Sequence, residues 1–209
     1  DRYKLLISGI GVTIKVSIVA VILGILIGFL IALCNLSKNK FLRAIGKIYT
    51  DIIRGTPSVA QLMIIYFVIF ASVDVSKTIV AILAFGMNSS AYVAEIFRSG
   101  IMAVDNGQFE AGRSLGFNYR QTMIYIIMPQ AFKNVLPALG NEFIVLLKET
   151  SVAGYIALQD LTKGGDIIRS RTYDALMPLM AVAIIYLVMV MIFSKLVSML
   201  ERRLRNSDH

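Results

Sequence analysis

Carboxylates and small polar side chains interrupt the most apolar stretches of this 209-residue sequence. Glu142 lies in the middle of the apolar stretch between Lys133 and Lys148. A carboxylate near the centre of a bilayer costs at least about 2.5 to 3.5 kcal/mol on insertion scales, so it usually marks a substrate or ion path. Pro137 and Gly140 precede it and are expected to bend or open the helix there. Glu142 is therefore the first candidate for binding a cation.

A second polar cluster lies in the apolar stretch that runs from residue 78 to residue 94. Its members are Asn88, Ser89, Ser90 and Tyr92. A cluster of this polarity at membrane depth must face protein or a cavity. It could donate hydrogen bonds to a ligand or join neighbouring helices, and the sequence supports both explanations.

Further polar residues flank these two stretches. Pro57 can occupy the first turn of a helix, which would aim the free amides near Thr56 and Ser58 towards the interior. Three residues that follow Glu142 could line the outer half of a cavity: Glu149, Ser151 and Asp160. Capping of a helix, or pairing with Lys163, is an alternative role for Asp160.

The elements that position these residues are membrane-spanning helices. Hydrophobic residues make up 57% of the chain and charged residues only 16%, with a mean hydropathy of +0.74, well outside the usual composition of soluble domains. About 20 apolar residues cross a bilayer as a helix. The predicted spans cover approximately residues 5–34, 55–73, 78–99, 131–148 and 175–200, the fourth being the weakest. The sequence thus predicts one all-α integral membrane domain of about five transmembrane helices over residues 1–209.

The net charge of +8 comes from basic residues in short loops and at span ends. This placement argues against nucleic-acid binding and reports membrane orientation instead. Most of these residues follow span one, flank residues 104–129 or form the C-terminal tail, which places the N-terminus outside and the C-terminus in the cytoplasm. Lys163, Arg169 and Arg171 weaken this prediction, although acidic residues are interleaved with them.

Three local patterns predict helix contacts. Residues 41–51 have the pattern of an amphipathic helix that lies in the cytoplasm. Gly24 and Gly28 form a GxxxG pair, which permits close helix packing. Glu95 and Arg98 are three residues apart and so lie on one helical face, where they are expected to form an ion pair.

The polar segment GQFEAGRSLGFNYRQTMIYIIMP, residues 107–129, separates the third and fourth spans. Its pattern predicts a helix from Phe109 to Leu115 that ends at Gly116. A second helix is predicted from Tyr119 to Met128, stopping at Pro129. An amphipathic linker with an ordinary glycine cap is the simpler explanation of this segment.

The same segment resembles the EAA loop of ABC importer permeases. The residues that carry this resemblance are Glu110, Ala111, Gly112, Gly116, Ile127 and Pro129. AYVAEIFRSGI before the loop, PQAFKNVLPALGNEFIVLLKETS after it and RGTPSVAQL in the second span are similar to the polar amino acid uptake branch of that family. The resemblance covers nearly the whole chain. Gly112 departs from the pattern, which has a second alanine there, but keeps a small residue.

The resemblance implies the transmembrane domain of a type I ABC importer in a prokaryotic plasma membrane. In that family the loop is a coupling helix that docks on the ATPase, so the implied contacts are Glu110, Ala111, Gly112, Ser114, Leu115 and Gly116. It further implies a second permease copy, giving a homodimer or a pair with a homologous permease. Two ATPase subunits would use ATP and Mg, and an external solute-binding protein would deliver the amino acid.

The chain has no GxxxxGK[ST] phosphate-binding motif, nucleophile motif or metal-ligand cluster. We therefore expect no enzyme activity and no cofactor in the chain itself. A stand-alone ion channel or secondary carrier is the competing class, but carriers commonly contain internal repeats, which are not evident here, and a channel has no need of a coupling helix. The acids at positions 142, 149 and 160 favour arginine, lysine or histidine as substrate over glutamine or glutamate.

Overall fold

The structure is a computed structural model that describes residues 2–206. His209, which the sequence indicates to be a tail residue rather than a ligand, lies outside the described residues. The described chain is helical throughout, connected by short turns. Its elements are α1 (Arg2–Leu36), α2 (Lys40–Gly55), α3 (Ser58–Ile64) with a π-helical turn (Ile65–Ile69), α4 (Lys77–Met102), α5 (Asn106–Ser114), α6 (Tyr119–Thr122) with a π-helical turn (Met123–Ile127), α7 (Met128–Glu149), a 3-10 segment (Thr150–Ile156), α8 (Leu161–Thr172) and α9 (Leu176–Asn206).

Three helices of the described chain are long and apolar enough to cross a membrane: α1, α4 and α9. A fourth candidate is the pair formed by α2 and residues 58–69, which is bent by 104°. The first, third and fifth predicted spans correspond to α1, α4 and α9. The predicted second span corresponds to the second limb of the bent pair, residues 58–69. The predicted fourth span lies within α7, which stays a predicted crossing.

The core is built on the packing of α1 against α4. A Cβ atom at Gly28 would lie 2.7 Å from the carbonyl oxygen of Ser90, and one at Gly24 would lie 3.0 Å from Ser89 Oγ. The two glycines therefore allow the backbones to approach closely, which confirms the predicted role of the GxxxG pair. Val16 on α1 and Phe85 on α4 are fully buried beside this contact.

The helix of the fourth predicted span, α7, is continuous through both Pro129 and Pro137. The predicted stop at Pro129 is wrong, because the wide turn Met123–Ile127 leads directly into α7, with the amide of Met128 bonded to the carbonyl of Met123. Pro129 occupies the first turn of α7, where a missing N–H costs little. The helix also does not open at Pro137. Packing on α9 accounts for the small residue that follows, since a Cβ at Gly140 would lie 2.7 Å from Val197 Cγ2.

The short helix α8 joins the ends of α1 and α9. A Cβ atom at Gly164 would lie 2.9 Å from the carbonyl oxygen of Leu5, and Gly165 lies against Val182. By contrast, only 17% of the apolar window of α9 is buried. The chain thus leaves one face of its last helix open to lipid or to another protein.

Candidate functional site

Glu142 and Ser89 lie side by side where α7 meets α4. Ser89 Oγ donates a hydrogen bond of 2.7 Å to Glu142 Oε1. Ser89 is fully buried and Glu142 is 8% exposed. The structure therefore brings together two residues that the sequence singled out separately, and a hydrogen bond to a carboxylate is among the stronger kinds.

A second hydrogen-bonded group connects α4 to the elbow between α2 and α3. Asn88 Nδ2 donates to Gln61 Oε1 at 2.9 Å. Gln61 Nε2 in turn donates to Thr56 Oγ1 at 2.6 Å and to the carbonyl of Ile53 at 2.7 Å. Gln61 is a residue that the sequence analysis missed. Its position one helical turn after Pro57 was the available signal, since both then face the elbow.

Neighbouring positions of the α4 cluster point to different partners. Tyr49 Oη lies 2.7 Å from Ser90 Oγ and donates to the carbonyl of Met87 at 3.0 Å. The ring of Tyr92 lies beneath Arg54, whose guanidinium carbon is 5.4 Å from the ring centroid. Successive helical positions are about 100° apart, so one cluster can reach α7, α3 and α2. The cluster thus makes hydrogen bonds to neighbouring helices, which was one of its two predicted roles.

A cavity of about 340 Å³ lies beside the elbow. Its lining residues are mostly apolar: Ile52, Ile53, Thr56, Pro57, Ala60, Gln61, Ile64, Ile65 and Met87. The surface that these residues present to the cavity is apolar, because Thr56 and Gln61 direct their polar atoms to each other and to the backbone. Glu142 is not among the lining residues.

Of the acidic residues after Glu142, Asp160 has a separate role, whereas Glu149 lies near enough for its charge to act on Glu142. Asp160 is 1% exposed and caps α8, because its carboxylate accepts the backbone amides of Thr162 at 3.2 Å and Lys163 at 3.0 Å. This is the alternative role that the sequence left open for Asp160. Glu149, the last residue of α7, is half-buried.

Ser151 belongs to a separate group near the start of α8. It lines a cavity of about 280 Å³ together with Lys163 and Asp166. The ammonium of Lys163 bonds to Asp166 at 2.9 Å, and Arg169 bonds to the same carboxylate at 2.7 Å. Hydrogen bonds from Lys163 and Arg169 hold the pKa of Asp166 below its usual value, so this carboxylate is ionised at neutral pH.

The predicted ion pair on the third span is confirmed. Arg98 donates to both carboxylate oxygens of Glu95 on the same face of α4. The pair lies towards the end of α4 that leads into the polar segment.

The polar segment folds as a short helix, a glycine corner and a second helix, as predicted. The first helix, α5, begins three residues earlier than expected, with Asp105 as its N-cap accepting the amide of Gly107 at 2.6 Å. Gly116 has a φ of 81°, in the left-handed region that favours glycine. Asn118 and Gln121 then form a capping box that starts α6.

The residues of α5 divide into an exposed face and a packed face. Ala111 is exposed and Leu115, at the end of the helix, is 72% exposed. Gly112 is buried, and a Cβ atom there would lie 2.6 Å from Thr122 Cγ2. The departure from the EAA pattern is thus explained by packing within the segment, because alanine at position 112 would collide with α6.

The described chain is an all-helical membrane domain with a small-residue helix exposed between its spans. These are features of a transporter permease. A family model described as the binding-protein-dependent transport system inner membrane component matches residues 24–206. The chain belongs to this family. It is the permease component of an amino acid ABC importer, a multi-pass protein of the inner or plasma membrane, and it is not itself an ATPase.

Similar proteins cover nearly the same length. A protein named as a glutamine transport system permease, GlnP, of Rickettsia bellii is 40% identical over 95% of this chain and 92% of its own. The arginine transport system permease protein ArtQ of Bacillus subtilis is 38% identical over 97% of this chain and 94% of its own. The L-cystine transport system permease protein TcyB of Bacillus subtilis is 35% identical over 97% of this chain and 87% of its own.

Two solved structures have the same fold. The crystal structure of an amino acid ABC transporter with histidines superposes with a TM-score of 0.91 at 47% identity, covering 96% of this chain and 94% of the other. The MetNI methionine ABC transporter in an inward-facing conformation gives a TM-score of 0.82 at 19% identity, with 96% of each chain covered. A permease of this kind works with an ATPase and a binding protein, which removes the stand-alone channel or carrier from consideration.

Proposed function

We propose that this permease imports basic amino acids, with Glu142 as the acceptor for a positive charge of the substrate. The observation that carries this proposal is the lack of a counter-charge. Among the described residues, Glu142 is hydrogen-bonded to Ser89 alone and has no ion-pair partner. A buried carboxylate without a cation is costly, and the ammonium, guanidinium or imidazolium of a substrate would supply one.

Two similar proteins support a basic substrate. ArtQ is named for arginine, and the solved transporter at 47% identity is described with histidines. The hydroxyls and amides near Glu142 and at the α2–α3 elbow offer donors for the substrate carboxylate. Candidate donors are Tyr92 and the second amide hydrogen of Asn88, which Gln61 holds in place. The hydroxyls of Ser89 and Thr56 already donate to Glu142 and to the carbonyl of Ile52, so they would have to exchange those partners for the substrate.

Glutamine is the second candidate substrate. It is favoured by the relatives named GlnP, which are 38% to 40% identical to this chain. Glutamine carries one ammonium and one carboxylate, so a single acceptor would satisfy its positive charge. Ser151 and Asp160 contribute less to binding of either substrate, because Asp160 caps α8 and Ser151 lies in the separate cavity beside Asp166. Glu149 lies near enough to Glu142 for their charges to interact, so it stays a candidate.

The change Glu142→Gln tests the substrate proposal. It keeps the shape and removes the charge, so affinity for arginine, lysine and histidine should fall more than tenfold, the order expected for a charged hydrogen bond worth about 1.5 to 3 kcal/mol. The measurement is uptake by the reconstituted importer with its binding protein saturated. Glu201→Gln, which removes an exposed carboxylate near the end of α9, is the control and should change uptake much less. Unchanged uptake of all three basic amino acids in Glu142→Gln would remove Glu142 from the site.

We further propose that two copies form the pathway, each contacting one ATPase subunit. The open face of α9 supports a second copy, since large apolar residues such as Leu187 and Met191 are 58% and 62% exposed. The polar segment at residues 107–129 would be the coupling segment, and its exposed residues support the ATPase contact: Glu110, Ala111, Ser114, Leu115 and Gly116. Gly112 would contribute indirectly, because it allows α5 to pack against α6. The loop and the C-terminus would then be cytoplasmic and the N-terminus external.

A further inference from the structure

The helix α2 presents three distinct faces. Its packed face carries Gly46, which lies against Asn35 and Cys34 of α1, and Thr50, which is 6% exposed. A second face is apolar and open. Its residues follow the i, i+4, i+7, i+11 spacing of one helical face and are between 48% and 71% exposed: Phe41, Ile45, Ile48 and Ile52.

The third face of α2 is basic. Arg43, Lys47 and Arg54 share a helical face by their i, i+4, i+11 spacing, and all three are exposed. Among the described residues, neither Arg43 nor Lys47 has an ion-pair or hydrogen-bond partner for its side chain. Two adjacent positive charges are therefore left without a counter-ion.

These charges border a groove of about 270 Å³. It is enclosed by α2, the C-terminal end of α1 and the last turns of α4, and its lining residues are Asn35, Arg43, Lys47, Thr50, Asp51, Arg54, Glu95 and Arg98. Glu95 is neutralised by Arg98, so Asp51 is the remaining carboxylate beside three cations. The groove has a net positive charge and the volume of a phosphate-bearing head group.

We propose that α2 lies in the membrane interface and that this groove binds the phosphate of an anionic phospholipid. An amphipathic helix with a basic face and an apolar face lies in the plane of the interface, its apolar side among the acyl chains. The groove lies at the shared ends of α1 and α4, which places it at the boundary of the bilayer. Basic clusters at that depth attract anionic lipids.

The open apolar face distinguishes a lipid from other anions. Free phosphate would satisfy Arg43 and Lys47 but would leave Phe41, Ile45 and Ile48 in water. An anionic phospholipid matches both faces of the same helix, because it joins a negative head group to acyl chains. The proposal goes beyond transport, and it holds whichever amino acid is carried.

Lipid binding to the purified full chain tests the proposal. The chain is titrated in detergent with phosphatidylglycerol and with phosphatidylcholine of the same acyl chains, and bound lipid is counted by native mass spectrometry. We expect a preference for phosphatidylglycerol that falls roughly thirtyfold in the double variant Arg43→Gln, Lys47→Gln. The control, Arg202→Gln with Arg203→Gln, removes the same charge at the far end of α9 and should keep the preference.

Several results would overturn the proposal. A preference that survives the double variant, or that falls equally in the control, would mean diffuse attraction rather than a site. Displacement of phosphatidylglycerol by inorganic phosphate would identify a free-phosphate site. If the double variant does not fold, the single variants provide the same test, with an expected loss of about fivefold each.

A cysteine at Ile48 distinguishes lipid from a second copy on the apolar face. In a Cys34→Ala background, Ile48→Cys in liposomes should react with a membrane-soluble maleimide and resist a water-soluble one. Efficient disulfide formation between two such chains would mean that the face packs on another copy, and the lipid proposal would then fail.

Discussion

The pair formed by Ser89 and Glu142 joins two helices through groups that are 53 positions apart in the chain. Its hydroxyl satisfies one carboxylate oxygen and leaves the remaining charge available to a ligand. At the same level Gly24 of α1 leaves no room for a larger residue, since a Cβ there would lie 3.0 Å from Ser89 Oγ. The position of the carboxylate is thus fixed by three helices.

Ser89→Ala should weaken both the fold and the substrate site. It leaves a buried carboxylate without its donor, which costs on the order of 1 to 3 kcal/mol, so we expect a lower thermal unfolding temperature and weaker substrate affinity. Ser90→Ala is the matched control, because Ser90 bonds to Tyr49 and to the carbonyl of Met87 and not to Glu142. Equal loss of affinity in the two variants would contradict a special role for Ser89.

In the coupling segment, neighbouring small residues have different structural roles. Ala111 faces outward and Gly112 faces α6. Gly116 has a third role, since its φ of 81° disfavours other residues whatever a partner requires. A bulky substitution at position 116 would therefore strain the backbone as well as obstruct docking, so it cannot separate the two effects.

Changes at positions 111 and 112 do separate docking from folding. Ala111→Asp should leave the thermal unfolding of the permease unchanged and abolish the stimulation of the ATPase by substrate, because it places an unpaired charge in the contact. Gly112→Ala should instead lower the unfolding temperature through its collision with Thr122. Both effects are measured on the reconstituted importer. Normal stimulation in Ala111→Asp would indicate that α5 is a linker.

For the molecule as a whole, the structure accounts for some sequence predictions and corrects others. Predictions from local patterns were confirmed, as the Glu95–Arg98 pair and the corner at Gly116 illustrate, because both depend on the spacing of nearby residues. Pro129 was mistaken for a stop because the wide turn before it depends on packing around the segment.

The partners of Ser89 and Asn88 could not be read from the sequence, whereas capping by Asp160 was one of two roles that the sequence allowed. Ser89 and Asn88 bond to residues on helices that are distant in the sequence. For Asp160, the sequence did not decide between capping and ion pairing. The polarity of a cluster predicts that it needs partners, but the rotation of each helix decides which ones it finds. Gln61 illustrates this, since its importance follows only from its simultaneous bonds to two elements.

Membrane orientation is a prediction about the whole molecule that labelling can check. In a Cys34→Ala background, Arg120→Cys in the coupling segment should resist a membrane-impermeant thiol reagent applied to intact cells. Ser72→Cys, in the exposed turn between residues 69 and 77, should react rapidly. Both positions are exposed, so burial does not explain a difference between them. The opposite labelling pattern would invert the topology.

The uninterrupted helical path from Tyr119 to Glu149 has a mechanical consequence. At about 1.5 Å per residue its length along the helix axis is roughly 45 Å, and α5 packs against one end of it through Gly112 and Thr122. Glu142 lies on the same helical path, roughly 30 Å along it from Thr122. A displacement of α5 would therefore be transmitted along this helical path, and the helix that carries the buried carboxylate would move with it.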